Sequence, residues 1–154
     1  MKWHVCSIAV LYFVFCSKNI LAFEDSTMIC RNLTAFHDLW KSSAYGEDPS
    51  RTERAAWIVR NADGGYEFVI WPHSAAGGSE MWTGKVPVQT VAQVHTHPKN
   101  LDPKPSKNDS RIAAKVKVPI YVISKDGIWR VNPDGQFKKE ANRGWFKKMS
   151  GACI

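Results

Sequence analysis

The stretch that most constrains how this chain folds is V-Q-T-V-A-Q-V-H-T-H-P, residues 88–98. Its alternation is that of a β-strand, with Val91, Gln93, His95 and His97 on one face and Ala92, Val94 and Thr96 on the other. Pro98 cannot donate to a strand ladder and stops the strand there. A proline-rich loop, K-N-L-D-P-K-P, leads into S-K-N-D-S-R-I-A-A-K-V, a short helix starting at Ser106. The strand must bury one apolar face while its end presents two imidazoles side by side.

The flanking sequence supplies a core for that strand. From Ser26 to Trp40, Ile29, Leu33, Phe36 and Trp40 recur at helical spacing, which predicts an amphipathic helix capped by Ser26 or Thr27. T-E-R-A-A-W-I-V-R, the turn N-A-D-G-G and Y-E-F-V-I-W predict a hairpin. A second hairpin is P-I-Y-V-I-S, the turn K-D-G and I-W-R-V-N. The Gly- and Ser-rich stretch from Pro72 to Gly84 reads as a loop, in which His73 either lies in solvent or borders a substrate groove, and His37, mid-helix, reads as structural. The order of helix, two strands, strand, helix, two strands predicts a small α/β domain: a mixed β-sheet flanked by helices, without internal repeats.

The two ends carry different signals. Residues 1–22 have Lys2, an apolar run from Val5 to Cys16 and a polar break, the pattern of a secretory signal peptide cleaved near Ala22. The run is about 12 residues where a bilayer span takes roughly 20, so no stable membrane anchor is expected. The alternative is an uncleaved anchor that enlists Ile20 to Phe23 across Ser17, Lys18 and Asn19. Loss of Lys2 and Lys18 leaves 19 of the 21 basic residues against 14 acidic ones, a surplus of five. Most of it lies in a basic, aromatic C-terminal tail, residues 137–154, where Lys138, Lys139, Arg143, Lys147 and Lys148 face only Glu140 beside Trp145 and Phe146. That tail reads as a patch for membrane, cell wall or nucleic acid, or as a solvated edge packing one aromatic side; a nucleic-acid partner is not expected. Residues 23–136 remain as one domain. Cys30 and Cys153, one near each end of the mature chain, are either a single disulfide or two free thiols.

Histidines two apart on a strand can offer ring nitrogens to one ion without distorting the backbone. Asp109, in the first turn of the next helix, is placed as a third ligand, and three protein ligands leave a tetrahedral zinc one position for water. Such a site suits amide hydrolysis and needs a nearby carboxylate to handle the proton. Glu47, Glu53, Glu67 and Glu80 are the upstream candidates; Glu53, at the start of a strand, has the best position. Ser106 and Asp109 alone also fit a helix capping box. Other metal folds are disfavoured: position 99 is Lys99 where a histidine-triad hydrolase needs a third histidine, no Pro-Cys-x-x-Cys segment of a zinc deaminase is present, and the chain is far shorter than an amidohydrolase barrel.

The upstream Glu, H-T-H-P and P-S-x-x-D together resemble the JAMM (MPN+, JAB-domain) zinc metalloproteases, whose signature is Glu, then His-x-His-Pro, then Ser-x-x-Asp. The likeness covers Thr27 to Asn132 and is nearest to compact bacterial members. It implies an MPN/JAB-like, cytidine-deaminase-like domain holding one Zn2+ on His95, His97 and Asp109. It further implies Glu53 as general acid/base and Ser106 as hydrogen-bond donor to the oxyanion. One departure stands out: seven residues separate Pro98 from Ser106 where the family pattern has six. A proline-rich loop can bulge outward around an extra residue and leave Ser106 and Asp109 in place.

These readings together predict an exported zinc-dependent metallopeptidase or isopeptidase. Its substrate is a peptide or protein, a cell-wall stem peptide among them. The alternatives are a non-catalytic MPN-like interaction module and a secreted effector or toxin domain.

Overall fold

The computed structural model describes residues 28–47, 53–72 and 82–153. The signal peptide, the caps expected at Ser26 or Thr27, and also His73 and Glu80, lie outside the described residues. In chain order come α1 (Leu33–Ser42), a 3-10 turn (Ala44–Gly46), β1 (Ala55–Arg60), β2 (Tyr66–Ile70), β3 (Thr90–Thr96), α2 (Lys107–Val116), β4 (Ile120–Ser124), β5 (Gly127–Val131), β6 (Phe137–Asn142) and α3 (Trp145–Ser150).

The strands form one six-stranded mixed sheet in the order β2-β1-β3-β4-β5-β6. Only β3 and β4 run parallel, and α2 is the crossover that a parallel pair demands. The domain is therefore α/β, with helices on both faces. On one face Phe36, Leu39 and Trp40 of α1 and Trp145 of α3 pack on Ile58, Val94, Tyr121 and Ile123. Phe36 is fully buried and meets Phe68 and Tyr121 edge to face, both at 5.5 Å. On the other face Ala113 and Ile112 of α2 cover Ile120, Val122 and Val131. Alternation along β3 assigns its side chains accordingly: Ala92 and Val94 belong to the first face, Gln93 and His95 to the second.

Three departures from the sequence reading have local causes. The first helix is not continuous from Ser26 to Trp40: residues 28–31 are helical, Asn32 breaks the run, and α1 starts at Leu33. The Asn32 amide donates to the Met28 carbonyl at 2.8 Å, the competition with the helix that makes Asn a boundary residue.

The expected C-terminal tail is part of the fold. Residues 137–142 form edge strand β6, paired antiparallel with β5. Gly127, at φ +131, permits this close pairing, since a Cβ there would stand 1.9 Å from the Ala141 carbonyl oxygen. Glu140 takes the Lys138 ammonium at 3.1 Å, and Lys139 lies over the Trp129 ring at 5.2 Å, so much of the tail's charge decorates a sheet edge.

The third departure is α3 itself. Trp145 is 4% exposed, and Phe146 stacks on His37 with ring centroids 3.7 Å apart. Cys30 and Cys153 form a disulfide that ties the end of the chain to the helical turn preceding α1. Among the described residues no helix is long and apolar enough to cross a membrane.

Candidate metal centre

His95 sits mid-sheet, its backbone between Ala55 of β1 and Val122 of β4. His97 follows the last residue of β3 and stays in register because its N–H donates to the Ile123 carbonyl at 2.8 Å. Thr96, between them, faces the opposite way. Its N–H donates to the Arg54 carbonyl and its hydroxyl accepts from the Arg54 N–H, both at 2.9 Å. That clamp fixes the chain beside Glu53 and delivers its carboxylate to the end of β3. Gly46 braces the strand end from the other side: its carbonyl accepts from the Lys99 N–H at 2.9 Å, and a Cβ on it would stand 3.2 Å from the His97 carbonyl oxygen.

Asp109 arrives from α2 by a capping box. The Ser106 hydroxyl accepts from the Asp109 N–H at 3.2 Å, while Asp109 Oδ2 accepts from the Ser106 N–H at 2.6 Å and from its hydroxyl at 2.7 Å. With Oδ2 engaged, Oδ1 faces His95 Nε2 at 3.4 Å. The helix cap and the aiming of the carboxylate are one arrangement.

The donor atoms converge. His95 Nε2 and His97 Nε2 are 3.2 Å apart, and His97 Nε2 is 3.9 Å from Asp109 Oδ2 and 4.0 Å from Glu53 Oε1. Two ligands of a tetrahedral zinc, each about 2.0–2.1 Å from the ion, stand about 3.3 Å apart, so His95 Nε2 already has nearly ligand spacing to His97 Nε2 and to Asp109 Oδ1, while the Asp109 oxygen that approaches His97 is the Ser106-bound Oδ2 at 3.9 Å. Glu53 also offers an oxygen within 4.8 Å of both imidazoles, which makes it a second candidate carboxylate for the same ion. The two acids are held differently: Asp109 is tethered by Ser106 and nearly buried, whereas the Glu53 side chain keeps about a fifth of its surface open.

The surroundings set the protonation states. The Asp102 carbonyl, 2.9 Å from His97 Nδ1, can only accept, so Nδ1 carries the hydrogen and Nε2 presents its lone pair to the cluster. Burial pushes the His95 imidazole down to about 4; the Asp109 carboxylate opposes the shift and the His97 imidazole adds to it. His95 is thus neutral at neutral pH and able to ligate. Its Nδ1 is buried without a hydrogen-bond partner, as is Gln93 Oε1 on the same face. The donor set of two imidazoles and carboxylate oxygen suits a single divalent ion such as zinc.

The cluster opens into a cavity of about 400 Å3. Trp71 lines it and belongs to a group of three indoles with Trp57 and Trp82, whose centroids lie 5.1 to 6.2 Å apart. No protein-family model matches the chain, and neither a curated protein nor a solved structure matches it. Every functional statement about the site therefore stands on its own geometry.

Of the residues singled out from sequence, His95, His97, Asp109, Glu53 and Ser106 come together here, and Cys30 with Cys153 pairs elsewhere. Glu47 instead pairs with Lys99 at the surface, and Glu67 lies in β2 opposite Val59. Sequence reasoning missed the Asp102 carbonyl, which leaves no side-chain signal. It also missed Trp71, whose nearness to β3 comes only from the antiparallel pairing of β1 with both neighbours, and Gln93, which the alternation of β3 already placed on the histidine face.

Proposed function

We propose that this chain is an exported zinc-dependent peptidase or isopeptidase of the JAMM type. The observation that carries the reading is the meeting of His95 Nε2 and His97 Nε2 at 3.2 Å, with Asp109 Oδ1 3.4 Å from His95 Nε2 and a partly open Glu53 carboxylate within ligand reach of both imidazoles. The Cys30–Cys153 disulfide supports export, since such bonds persist in oxidising compartments. A zinc ion held there would lower the pKa of a bound water to about 7 and polarise a substrate carbonyl.

The chain's own residues then divide the work. Glu53 takes a proton from the attacking water and returns it to the departing amine as the C–N bond breaks, so the carboxylate is regenerated. Ser106 holds Asp109 through its hydroxyl hydrogen, and donating to an oxyanion would require giving up that bond. Trp71 forms an apolar wall against which a peptide can lie. The substrates this reading implies are peptides or proteins, cell-wall stem peptides included, entering the cavity of about 400 Å3 beside the cluster.

A second reading, a non-catalytic metal-binding interaction module, draws on Glu53 lying within ligand reach of both imidazoles. Four protein ligands would close the site and leave no position for water. Glu53→Gln separates the two. Unchanged zinc affinity with lost hydrolysis of a peptide library identifies the base; affinity lowered tenfold or more, with no hydrolysis by the wild type, identifies a fourth ligand. Absence of stoichiometric zinc from the purified protein rejects both.

A further inference from the structure

The basic aromatic segment at the C-terminus takes no part in the metal centre, yet it builds a cavity of its own. A space of about 350 Å3 lies between α1, the 3-10 turn and α3. Trp40, Tyr45, Trp145 and Phe146 line it, and cations reach it from three separate parts of the chain: Lys99 after β3, Lys125 after β4, and Arg143 and Lys147 around the start of α3. Lys99 pairs with the exposed Glu47 at the rim. Among the described residues no carboxylate lies within ion-pair distance of Lys125, Arg143 or Lys147. Lys125 Nζ is fixed at the edge by donating to the Lys99 carbonyl at 2.9 Å, and Lys148 Nζ steadies the backbone by donating to the Arg143 carbonyl at 3.2 Å.

The opposite wall is strained. Ala44 and Tyr45 sit at φ 48 and φ 56, left-handed backbone that is unfavourable for a non-glycine residue. The Ser43 hydroxyl holds the turn, donating to the Trp40 carbonyl at 2.7 Å and accepting from the Gly46 N–H at 3.2 Å. The result puts a 42% exposed Tyr45 ring beside the cavity, and strain of this kind gathers at binding sites.

We propose that this cavity binds an acidic peptide segment, a Glu or Asp side chain carried next to an apolar residue. Unpaired cations around an aromatic floor select an anion with an apolar body, and the Arg143 guanidinium can hold a carboxylate by two parallel bonds. A nucleotide fits less well because it needs an open ring face on which to stack. Here His37 and Phe146 stack on each other, Trp145 stands edge-on to both and Trp40 is 9% exposed, so of the lining rings Tyr45 alone is exposed and a base could not be sandwiched between two faces. Pro98 alone separates His97, which lines the metal cavity, from Lys99, which lines this one. A peptide held here lies on the strand-end edge that carries the metal centre, although its binding does not depend on the metal.

The test selects random displayed heptapeptides on the immobilised, zinc-stripped mature protein, then titrates a recovered peptide by tryptophan fluorescence. Recovered sequences place Glu or Asp beside an apolar residue, and replacing the acid by its amide weakens binding about tenfold or more, the worth of one charge-assisted pair. Arg143→Glu with Lys147→Glu loses binding by at least about the same factor at unchanged melting temperature. Should that double variant fail to fold, Lys125→Gln, on a different element, weakens binding several-fold. The proposal is overturned if no acidic sequences are recovered, if acid and amide peptides bind equally, if neither variant weakens binding, or if ATP binds in preference to the peptide.

Discussion

Removing the Cys30–Cys153 bond is the sharpest test of how the two ends of this domain are held. The bridged residues are 123 apart in sequence. A cross-link closing a loop that long removes chain entropy from the unfolded state worth about 5 kcal/mol at room temperature, against a total stability of roughly 5–15 kcal/mol for a domain. For a chain of this size that corresponds to a drop in melting temperature of roughly 15–20 °C. The folded end of the chain has other fastenings, because Trp145 is buried in the core and Phe146 stacks on His37. The Cys30→Ser, Cys153→Ser variant should therefore keep native tryptophan emission and near-ultraviolet dichroism at 20 °C while melting early, and reductant should bring the wild type to the same midpoint. A shift of less than about 5 °C would mean that the unfolded chain gains little freedom. Red-shifted emission well below the midpoint would refute the reasoning outright, because the bond would then be holding α3 in place in the native state.

The remaining predictions concern the site. Ser106→Ala removes the hydroxyl that caps α2 and engages Asp109 Oδ2; it should lower metal-free stability by about 1 kcal/mol and zinc affinity by about 10- to 100-fold, with Ser106→Thr restoring both in urea melts and zinc titrations. Gly46→Ala adds a Cβ 2.7 Å from the Trp40 ring at φ +80, so calorimetry should show a loss of about 1–3 kcal/mol together with weaker zinc binding; unchanged zinc affinity would mean that Gly46 does not brace His97. His95 titrates near 4 folded against 6.5 unfolded. The unfolded chain therefore binds the extra proton between those values, and stability, complete above pH 6.5, is lost as pH falls towards 4 by up to about 3 kcal/mol. Urea melts in chelator should show this slope in wild type and its absence in His95→Gln.

What was legible in the sequence was what short-range periodicity encodes. Alternation placed His95 with Gln93 on one face of β3, and the three-residue spacing of Ser106 and Asp109 announced a capping box, because both depend on neighbours within one element. Glu53 was harder: its place beside His97 rests on Thr96 gripping Arg54 across 42 residues, a contact that no local pattern reports. Edge strand β6 was hidden because F-K-K-E-A-N lacks apolar alternation; it is held by backbone pairing to β5 and by the glycine at 127.

The loop before Ser106 shows the limit most clearly. A proline-rich loop can bulge around its extra residue and leave Ser106 and Asp109 in place, yet the Asp102 carbonyl within it accepts the His97 Nδ1 hydrogen and so fixes which nitrogen faces the cluster. A backbone carbonyl carries no residue identity, so its role becomes visible only when the loop has a shape. It follows that deleting Leu101, which shortens the loop between Pro98 and Ser106 to six residues, should leave Ser106 and Asp109 on α2 but move the Asp102 carbonyl and weaken zinc binding. Zinc affinity equal to wild type in that deletion would show instead that the loop is the passive bulge the sequence implied.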